Sequence, residues 1–228
     1  MEVTVLGSGT SHGIPVIGCS CPVCLSADKK DKRSRSSVWI TEGGTSILFD
    51  TATDFRQQPL REHIDNIDAV FMTHAHADHI HGLDDIRPLT YEHVIPIYGN
   101  RSTIEEIRFR FSYIFANTQK GGGKPRISLW TITNQEILIG SLRVIPIPIK
   151  HGTLDIYGYR INNAAYCTDC SSIPASSYPL LEDLDLLILG ALRYTPHATH
   201  VSIGQAVEVI EQVQPKQAFL THLCHDIE

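Results

Sequence analysis

Thr73-His74-Ala75-His76-Ala77-Asp78-His79 follows the apolar run Asp68–Met72 and decides how the chain is interpreted. The run has the length and composition of a buried β-strand. A strand that ends in a tight loop can point alternate side chains into one cavity, so His74 and His76 can bind one cation, and Asp78 with His79 a second. The alternative is a solvated His-rich loop, but crowding these polar groups together costs stability unless something binds them. The stretch therefore predicts a metal site.

The composition describes a folded protein with no general attraction to polyanions. The chain has 228 residues, of which 42% are hydrophobic and 19% charged, and its net charge is −6. We expect one domain covering residues 1–228, because this length and hydrophobic content support a sizeable core. Neither a secretory signal nor an apolar run of membrane-spanning length is evident, which favours a soluble cytoplasmic protein. In that compartment cysteines indicate metal binding or burial rather than disulfides.

A second candidate metal site lies near the N-terminus. Three thiols fall within six residues at Cys19, Cys21 and Cys24, and Pro22 stiffens the turn between them. Three thiolates can hold one tetrahedral Zn²⁺, and such a set is structural in character once a fourth ligand closes it. Three reduced, buried thiols are the alternative interpretation. The Cys167-x-x-Cys170 spacing lacks a thioredoxin-like setting, so we expect buried thiols there.

Strands and helices alternate along the chain in two halves, broadly 1–140 and 141–228. The expected strands are 2–6, 37–41, 45–49, 68–72, 95–98, 127–132, 136–139, 142–149, 157–161, 164–168, 184–189 and 217–220. The expected helices are 54–64, 83–89, 101–115 and 203–213, the last capped by Ser202. The Lys/Arg-rich stretch 26–35 is expected to be solvated. Asp50 ends an apolar strand, where its carboxylate should accept hydrogen bonds.

Further ligand types recur where later strands end. His151, Asp169 and His222 each follow an apolar run, in the same way that His74 and His76 do. Layered folds place their sites at the carboxyl ends of strands. One such residue means little, but several at the ends of four strands indicate a shared site.

This set of residues resembles the metallo-β-lactamase superfamily over nearly the whole chain. The resemblance implies an α+β fold, a four-layer αββα sandwich with a two-metal site at one edge of its sheets. It also implies the roles of the individual side chains. One metal would be bound by His74, His76 and His151, the other by Asp78, His79 and His222, with Asp169 bridging and Asp50 supporting the loop.

A narrower resemblance is to the phosphodiesterases of bacterial phosphonate degradation, which open phosphoribosyl cyclic phosphate. It is carried by Gly7-Ser8-Gly9-Thr10-Ser11, Gly13-Ile14-Pro15, the three cysteines and Thr221-His222-x-x-His225-Asp226. That branch implies a structural zinc held by Cys19, Cys21, Cys24 and His225, in a loop at about 12–35. Cys224 is the competing fourth ligand. Members of the branch usually continue for a few tens of residues beyond the position of Glu228, as a last strand or helix, so substrate contacts from such an element are not assigned.

The expected activity is metal-dependent hydrolysis of a phosphodiester, either a small cyclic phosphate or a short nucleotide. Two divalent cations, Mn²⁺ or Zn²⁺, can generate a bridging hydroxide at neutral pH and clamp a phosphoryl oxygen. His200 is the candidate general acid, because it lies outside the ligand set and the usual imidazole pKa is near neutral. A surface histidine is the alternative. Asp78 is also catalytic in this hypothesis, as a hydrogen-bond partner of the nucleophile.

The expected partner is a small phosphorylated substrate, with no membrane and no stable nucleic acid; the family suggests a homodimer. Arg56, Arg193 and Lys124 are candidates for binding its phosphate, and Gly121-Gly122-Gly123 is expected to be a flexible loop. Alternatives with the same fold are a tRNA 3′-end nuclease, a thioesterase and a relative of the pyrroloquinoline-quinone biosynthesis B protein. The alternative outside enzymes is a non-catalytic metal-binding module.

Overall fold

The computed structural model describes residues 1–117 and 123–228, which fall into two compact units. The first unit contains Met1–Leu6, Ser37–Thr133 and Ile139–Ser141, and the second contains Gly7–Ser36, Asn134–Leu138 and Leu142–Glu228. The sequence suggested a simple boundary near residue 140, whereas residues 7–36 belong with the C-terminal part. The reason is backbone pairing, since Gly9 forms a bridge with Leu223.

Strands of the first unit form a six-stranded mixed sheet with the order β1-β2-β3-β4-β5-β6. The bounds are β1 Glu2–Gly7, β2 Ser37–Glu42, β3 Thr45–Phe49, β4 Ala69–Phe71, β5 Ile95–Gly99 and β6 Ile127–Thr131. β2 and β3 form the predicted antiparallel hairpin. Its turn needs positive φ at two consecutive positions, which Gly43 and Gly44 supply at 57° and 83°.

The short strand β4 lies inside this sheet and is followed by the segment 73–79, here called the ligand loop. It pairs in parallel with β3 on one side and β5 on the other. All three of its residues are fully buried, as expected for a central parallel strand covered on both faces. Phe71 stacks between Phe49 and Tyr98, with ring centroids 5.5 and 4.9 Å apart. Packing on both sides fixes the end of β4, where the ligands begin.

The helices expected over 54–64 and 101–115 are shorter in the structure, and the helix expected over 83–89 is a 3₁₀ helix. The helices of the first unit are α2 Gln57–Glu62, α3 Ala77–Ile80, α4 Arg101–Arg110 and α5 Ser112–Phe115, with a 3₁₀ helix at Leu83–Thr90. α2 stops because His63 adopts a left-handed conformation with φ 55°. The helix expected over 101–115 breaks at Phe111, whose φ of −105° leaves the α-helical region. Asn100 caps α4 by accepting from the Thr103 amide.

The second sheet has six strands in the order β12-β11-β10-β9-β8-β7. Their bounds are β7 Ile137–Ile139, β8 Leu142–His151, β9 Leu154–Ile161, β10 Ala164–Cys167, β11 Leu186–Gly190 and β12 Gln217–Thr221. β8 and β9 form a long antiparallel hairpin, and β10, β11 and β12 run parallel to one another. The chain therefore leaves β8, β10, β11 and β12 at the same edge of this sheet.

The second unit is covered by helix α6, Ile203–Val213, as the sequence predicted. Ile203, Val209, Ile210 and Val213 pack against a core that includes Leu187, Leu189 and the thiols of Cys167 and Cys170. Burial of these two thiols confirms the prediction for the Cys167-x-x-Cys170 spacing. The remaining elements are α1 Pro22–Leu25 and 3₁₀ helices at Lys29–Asp31 and Ala175–Leu181. Among the helices of residues 1–117 and 123–228, none has the length and apolarity to cross a membrane.

The capping box of α6 predicts a measurable loss of stability. Ser202 Oγ accepts from the Gln205 amide at 3.3 Å, and Gln205 Oε1 accepts from the Ser202 amide at 2.9 Å. Ser202→Ala leaves the Gln205 amide in the first turn of α6 without its side-chain acceptor, so we expect the free energy of unfolding to fall by about 1 kcal/mol. Urea denaturation measures this change. The exposed Ser176→Ala is the matched control, and an equal effect of both substitutions would contradict the capping role.

Candidate metal centres

In the first unit, the ligand loop is held by one buried carboxylate. Asp50 is fully buried and accepts from the Thr73 amide at 2.8 Å, the Thr73 hydroxyl at 2.9 Å and His79 Nδ1 at 2.8 Å. Burial raises the pKa of Asp50, while the His79 ring and the two Thr73 donors act in the opposite direction. The carboxylate that ends β3 thereby fixes the start and the end of the segment that follows β4.

These bonds also decide which nitrogen of each imidazole carries the lone pair. The Thr73 hydroxyl donates to Asp50, so its oxygen accepts from His74 Nδ1 at 3.0 Å. His79 Nδ1 donates to Asp50. Nε2 is therefore the basic nitrogen of both His74 and His79, which is the usual way in which outer groups orient metal-binding histidines.

The basic nitrogens of the first unit face other potential ligands. His74 Nε2 lies 2.9 Å from His76 Nδ1, and His79 Nε2 lies 3.3 Å from Asp78 Oδ2. Two imidazole nitrogens at 2.9 Å must share either a proton or a cation. His76 is exposed, whereas Asp78 and His79 are buried. The chemistry of this donor set fits a divalent cation, because it combines neutral imidazole with carboxylate.

In the second unit, three predicted ligands follow strands that end at one edge of the sheet. His151 is the last residue of β8, Asp169 follows β10 and His222 follows β12. His222 Nε2 lies 3.1 Å from Asp169 Oδ1. His151 Nδ1 donates to the Thr199 carbonyl at 2.8 Å, which makes Nε2 its basic nitrogen. All three ligands are buried, and the sheet rather than local sequence brings them together.

His200 lies among these histidines in the second unit. Its ring stacks on His222 with centroids 4.8 Å apart and is tilted against His151 at 4.7 Å. Burial lowers the pKa of His200 to about 3, and the neighbouring His222 and His151 act in the same direction against the attraction of Asp169. The assumption of a near-neutral imidazole pKa is therefore wrong for this environment. His197 is exposed, and its Nδ1 accepts from the Thr199 amide at 3.3 Å.

The three N-terminal thiols converge on His225 in the same unit. His225 Nδ1 lies 3.2 Å from Cys19 Sγ and 3.5 Å from the sulfurs of both Cys21 and Cys24. One ligand atom from each of the four residues lies within 4.8 Å of the others. The competing thiol, Cys224, instead accepts from the Asp226 amide at 3.4 Å. Three sulfurs and one imidazole nitrogen at this spacing fit a tetrahedral Zn²⁺.

The remaining candidates from the sequence are dispersed. Lys124 Nζ donates to the Ala116 carbonyl at 2.6 Å, and Arg193 donates to the carbonyls of Thr195 and Pro196. Arg56 is exposed and lines a mostly apolar cavity of about 390 Å³ in the first unit, together with Arg87. The glycine loop expected at 121–123 falls partly on residues 121 and 122, which lie outside the described residues.

Sequence reasoning missed two residues that orient ligands, Thr73 and Thr199, and it missed the burial of Arg33. Thr73 directly precedes the first histidine, so its position beside the motif was a usable signal. Thr199 orients His151 through its backbone carbonyl, which no side-chain pattern reveals. Arg33 lies in the stretch that was expected to be solvated, yet only 8% of its surface is exposed. That expectation is wrong for Arg33, because its guanidinium finds carbonyl partners far away in the sequence.

Comparison with known proteins places these residues in a family context. Residues 45–223 match a family model described as beta-lactamase superfamily domain. A solved structure described as a new diphosphatase from the PhnP family is 43% identical, with a TM-score of 0.93 over 99% of this chain and 87% of that chain. Zn²⁺-bound PqqB from Methylobacterium extorquens is 17% identical, with a TM-score of 0.78 over 99% of this chain and 90% of that one, a likeness of fold alone.

A curated relative is much longer than this chain. An octanoyltransferase of Porphyromonas gingivalis strain W83 is 40% identical over 228 residues, which is 99% of this chain but 46% of that protein. The chain spans less than half the length of the curated relatives that it matches. The name octanoyltransferase describes the whole of that relative, of which 46% matches this chain.

The thiol cluster predicts an unusual pH dependence of alkylation. The Cys24 amide donates to Cys21 Sγ at 3.4 Å, and this bond is the main reason why the pKa of Cys21 falls to about 7. In metal-free, reduced protein the thiolate of Cys21 should therefore form as the pH rises through about 7. Iodoacetamide labelling of the Cys21 peptide, followed by mass spectrometry, should show its half-maximal rate near that pH. Cys167, whose pKa is raised by burial, should stay unlabelled. A midpoint near the ordinary thiol pKa of about 8.5 would contradict this assignment.

Proposed function

The chain belongs to the beta-lactamase superfamily, and we propose that it is a metal-dependent phosphodiesterase. The observation that carries the proposal is the pair of His/Asp ligand sets, one in each unit, whose basic nitrogens are fixed by Asp50, Thr73 and Thr199. The proposed substrate is a small phosphorylated molecule.

Family membership confirms part of the interpretation made from the sequence. The α+β fold class is confirmed, because the two mixed sheets and their helices are those of the metallo-β-lactamase fold. The narrower resemblance is also confirmed at the level of the branch, by the 43% identity to a PhnP-family diphosphatase. A diphosphatase hydrolyses a bond to phosphorus, which supports phosphoryl hydrolysis for this chain, while the phosphodiester and the cyclic phosphate remain part of the proposal.

We assign the seven ligands as the family resemblance implies. One divalent cation would be held by His74, His76 and His151, and the other by Asp78, His79 and His222. Asp169 would bind both. The cations would be Mn²⁺ or Zn²⁺, since the set has imidazoles and carboxylates but no thiolate. Bound divalent cations supply Lewis-acid chemistry, because they lower the pKa of water and neutralise phosphoryl charge. Asp50 would orient His79 directly and His74 through Thr73.

A third cation, structural Zn²⁺, is proposed for Cys19, Cys21, Cys24 and His225. The short distances from His225 Nδ1 to the three sulfurs support this assignment over one that uses Cys224. A closed set of four protein ligands has no position for water, so this site would stabilise the fold rather than catalyse.

His200 is the proposed general acid, and Asp78 is proposed to hydrogen-bond the nucleophile. A general acid must carry a proton when the leaving alkoxide departs. With its pKa lowered to about 3, His200 is neutral at pH 7 in the ligand-free protein. The negative charge of a bound phosphate would therefore have to stabilise the proton on His200, which ties protonation to substrate binding.

Hydrolysis of bis-p-nitrophenyl phosphate with added Mn²⁺ tests the proposed activity. We expect turnover by the unmodified chain and a loss of at least about 100-fold in His76→Ala, because this change removes a direct ligand rather than an outer partner. His63→Asn is the matched control, since His63 is exposed and asparagine tolerates its left-handed backbone. No turnover, or equal rates for His76→Ala and the unmodified chain, would contradict the proposal. Hydrolysis of an acyl thioester instead would favour the thioesterase alternative.

The role of His200 is tested by changing the leaving group. Loss of a general acid should reduce kcat by about 10²- to 10⁴-fold for an alkyl phosphodiester, because an alkoxide leaves only with a proton. A p-nitrophenyl ester should lose little, since p-nitrophenolate leaves without one. His200→Gln is the informative variant and His197→Gln its control. Equal losses of kcat for both esters would show that His200 acts on structure or metal binding rather than on the leaving group.

A further inference from the structure

The segment that follows β12 carries two proposed ligands but has little regular structure. β12 ends at Thr221, and residues 222–228 form no helix or strand. His222 and His225 both lie in this stretch. Carbonyl groups of such a segment need donors from other parts of the chain, because no helix or strand of its own supplies them. The position of both ligands therefore depends on the groups that bind this backbone.

Arg33 supplies donors on either side of His225. Its Nη1 donates to the Ile227 carbonyl at 2.8 Å and to the Cys224 carbonyl at 3.4 Å. These two contacts span about 190 residues of sequence and bracket the histidine. The side chain is 8% exposed, so the bonds form largely out of water, where they hold the backbone more firmly.

The guanidinium is itself fixed from the opposite side. Arg33 Nε donates to the Lys30 carbonyl at 3.1 Å, and Nη2 pairs with Asp31 Oδ1 at 3.2 Å. The backbone of Arg33 exchanges two hydrogen bonds with Ile14, at 2.8 and 2.9 Å. A planar fork of five donors suits this arrangement, whereas a lysine ammonium would satisfy fewer of the acceptors in the same directions.

The loop that holds Arg33 is continuous with the loop that holds the thiols. Lys32 directly precedes Arg33, and its Nζ donates to the Cys24 carbonyl at 3.3 Å. On the far side, the Leu223 amide donates to Ser8 and the Thr10 amide donates to Leu223. The cysteine loop (residues 19–24), the stretch 30–33 and the terminal segment (residues 222–228) are therefore connected by hydrogen bonds within the second unit.

We propose that Arg33 is a positioning residue for both ligands of the terminal segment. By bonding the carbonyls of Cys224 and Ile227, it holds the His225 ring against the three sulfurs. The bond to the Cys224 carbonyl also restrains the backbone two residues after His222. This inference rests on the proposed metal sites for its consequence in binding, but the restraint on the backbone does not depend on them.

Metal titration of the full chain tests the binding consequence. Co²⁺ added to metal-free, reduced protein reports thiolate ligation through its charge-transfer absorption. We expect Arg33→Met to bind Co²⁺ at the thiols about tenfold more weakly than the unmodified chain, at the lower end of the effect of outer groups. Arg33→Lys should be intermediate and keeps the test valid if Arg33→Met does not fold. Arg143→Met, which removes an exposed arginine of the same unit paired with Glu136, should change nothing.

Hydrogen exchange separates the positioning role from the metal proposal. In metal-free protein, the amides of Leu223 and Cys224 should exchange at least several-fold faster in Arg33→Met than in Arg143→Met. If no variant shows thiolate absorption with Co²⁺ but this exchange difference is present, the zinc proposal fails and the positioning role stands. Wild-type exchange at these amides in folded Arg33→Met and Arg33→Lys would overturn the inference, as would unchanged Co²⁺ affinity in both.

Discussion

The buried carboxylate of Asp50 is the constraint on which the first unit's ligand loop depends. An ionised carboxylate with no exposed surface is unstable unless donors surround it. The Thr73 amide, the Thr73 hydroxyl and His79 Nδ1 are those donors, and each belongs to the ligand loop. The loop supplies the donors that stabilise the carboxylate, and the carboxylate in turn fixes the conformation of the loop. This reciprocity explains how a stretch with a single four-residue helix keeps its imidazoles oriented.

In the second unit, backbone pairing and a buried arginine position the ligands. Its ligands follow strands that end at one edge of a sheet, so β8, β10 and β12 supply the approximate positions. The terminal segment continues past the sheet and needs other partners. The cysteine loop and Arg33 provide them, through the bridge from Gly9 to Leu223 and the bonds to Cys224 and Ile227. Residues far apart in sequence are therefore needed to place His225.

Several expectations from the sequence used properties that a residue type usually has, such as its pKa in water or its exposure to solvent. The folded environment changed these properties. The imidazole of His200 has a near-neutral pKa in water, but burial beside two other histidines lowers it to about 3. A Lys/Arg-rich stretch is usually solvated, yet Arg33 is buried because carbonyl acceptors surround it. The helix expected over 101–115 satisfied its apolar period but broke at Phe111, where the backbone leaves the helical region. For His200 and Arg33, tertiary contacts outweighed a local preference.

Most strands and the ligand types could be predicted from the sequence, because periodicity and residue chemistry are local properties, and the α+β class followed from the resemblance that those ligands carry. The hairpin at Gly43-Gly44 and the cap at Ser202 could be predicted to the residue, since turn and cap geometry admit few residue types. The basic nitrogen of His74, His79 and His151, the contact of Thr199 with His151 and the burial of Arg33 are properties of the folded chain alone. Those outcomes depend on hydrogen bonds between residues distant in the chain, and no pattern within one segment encodes them.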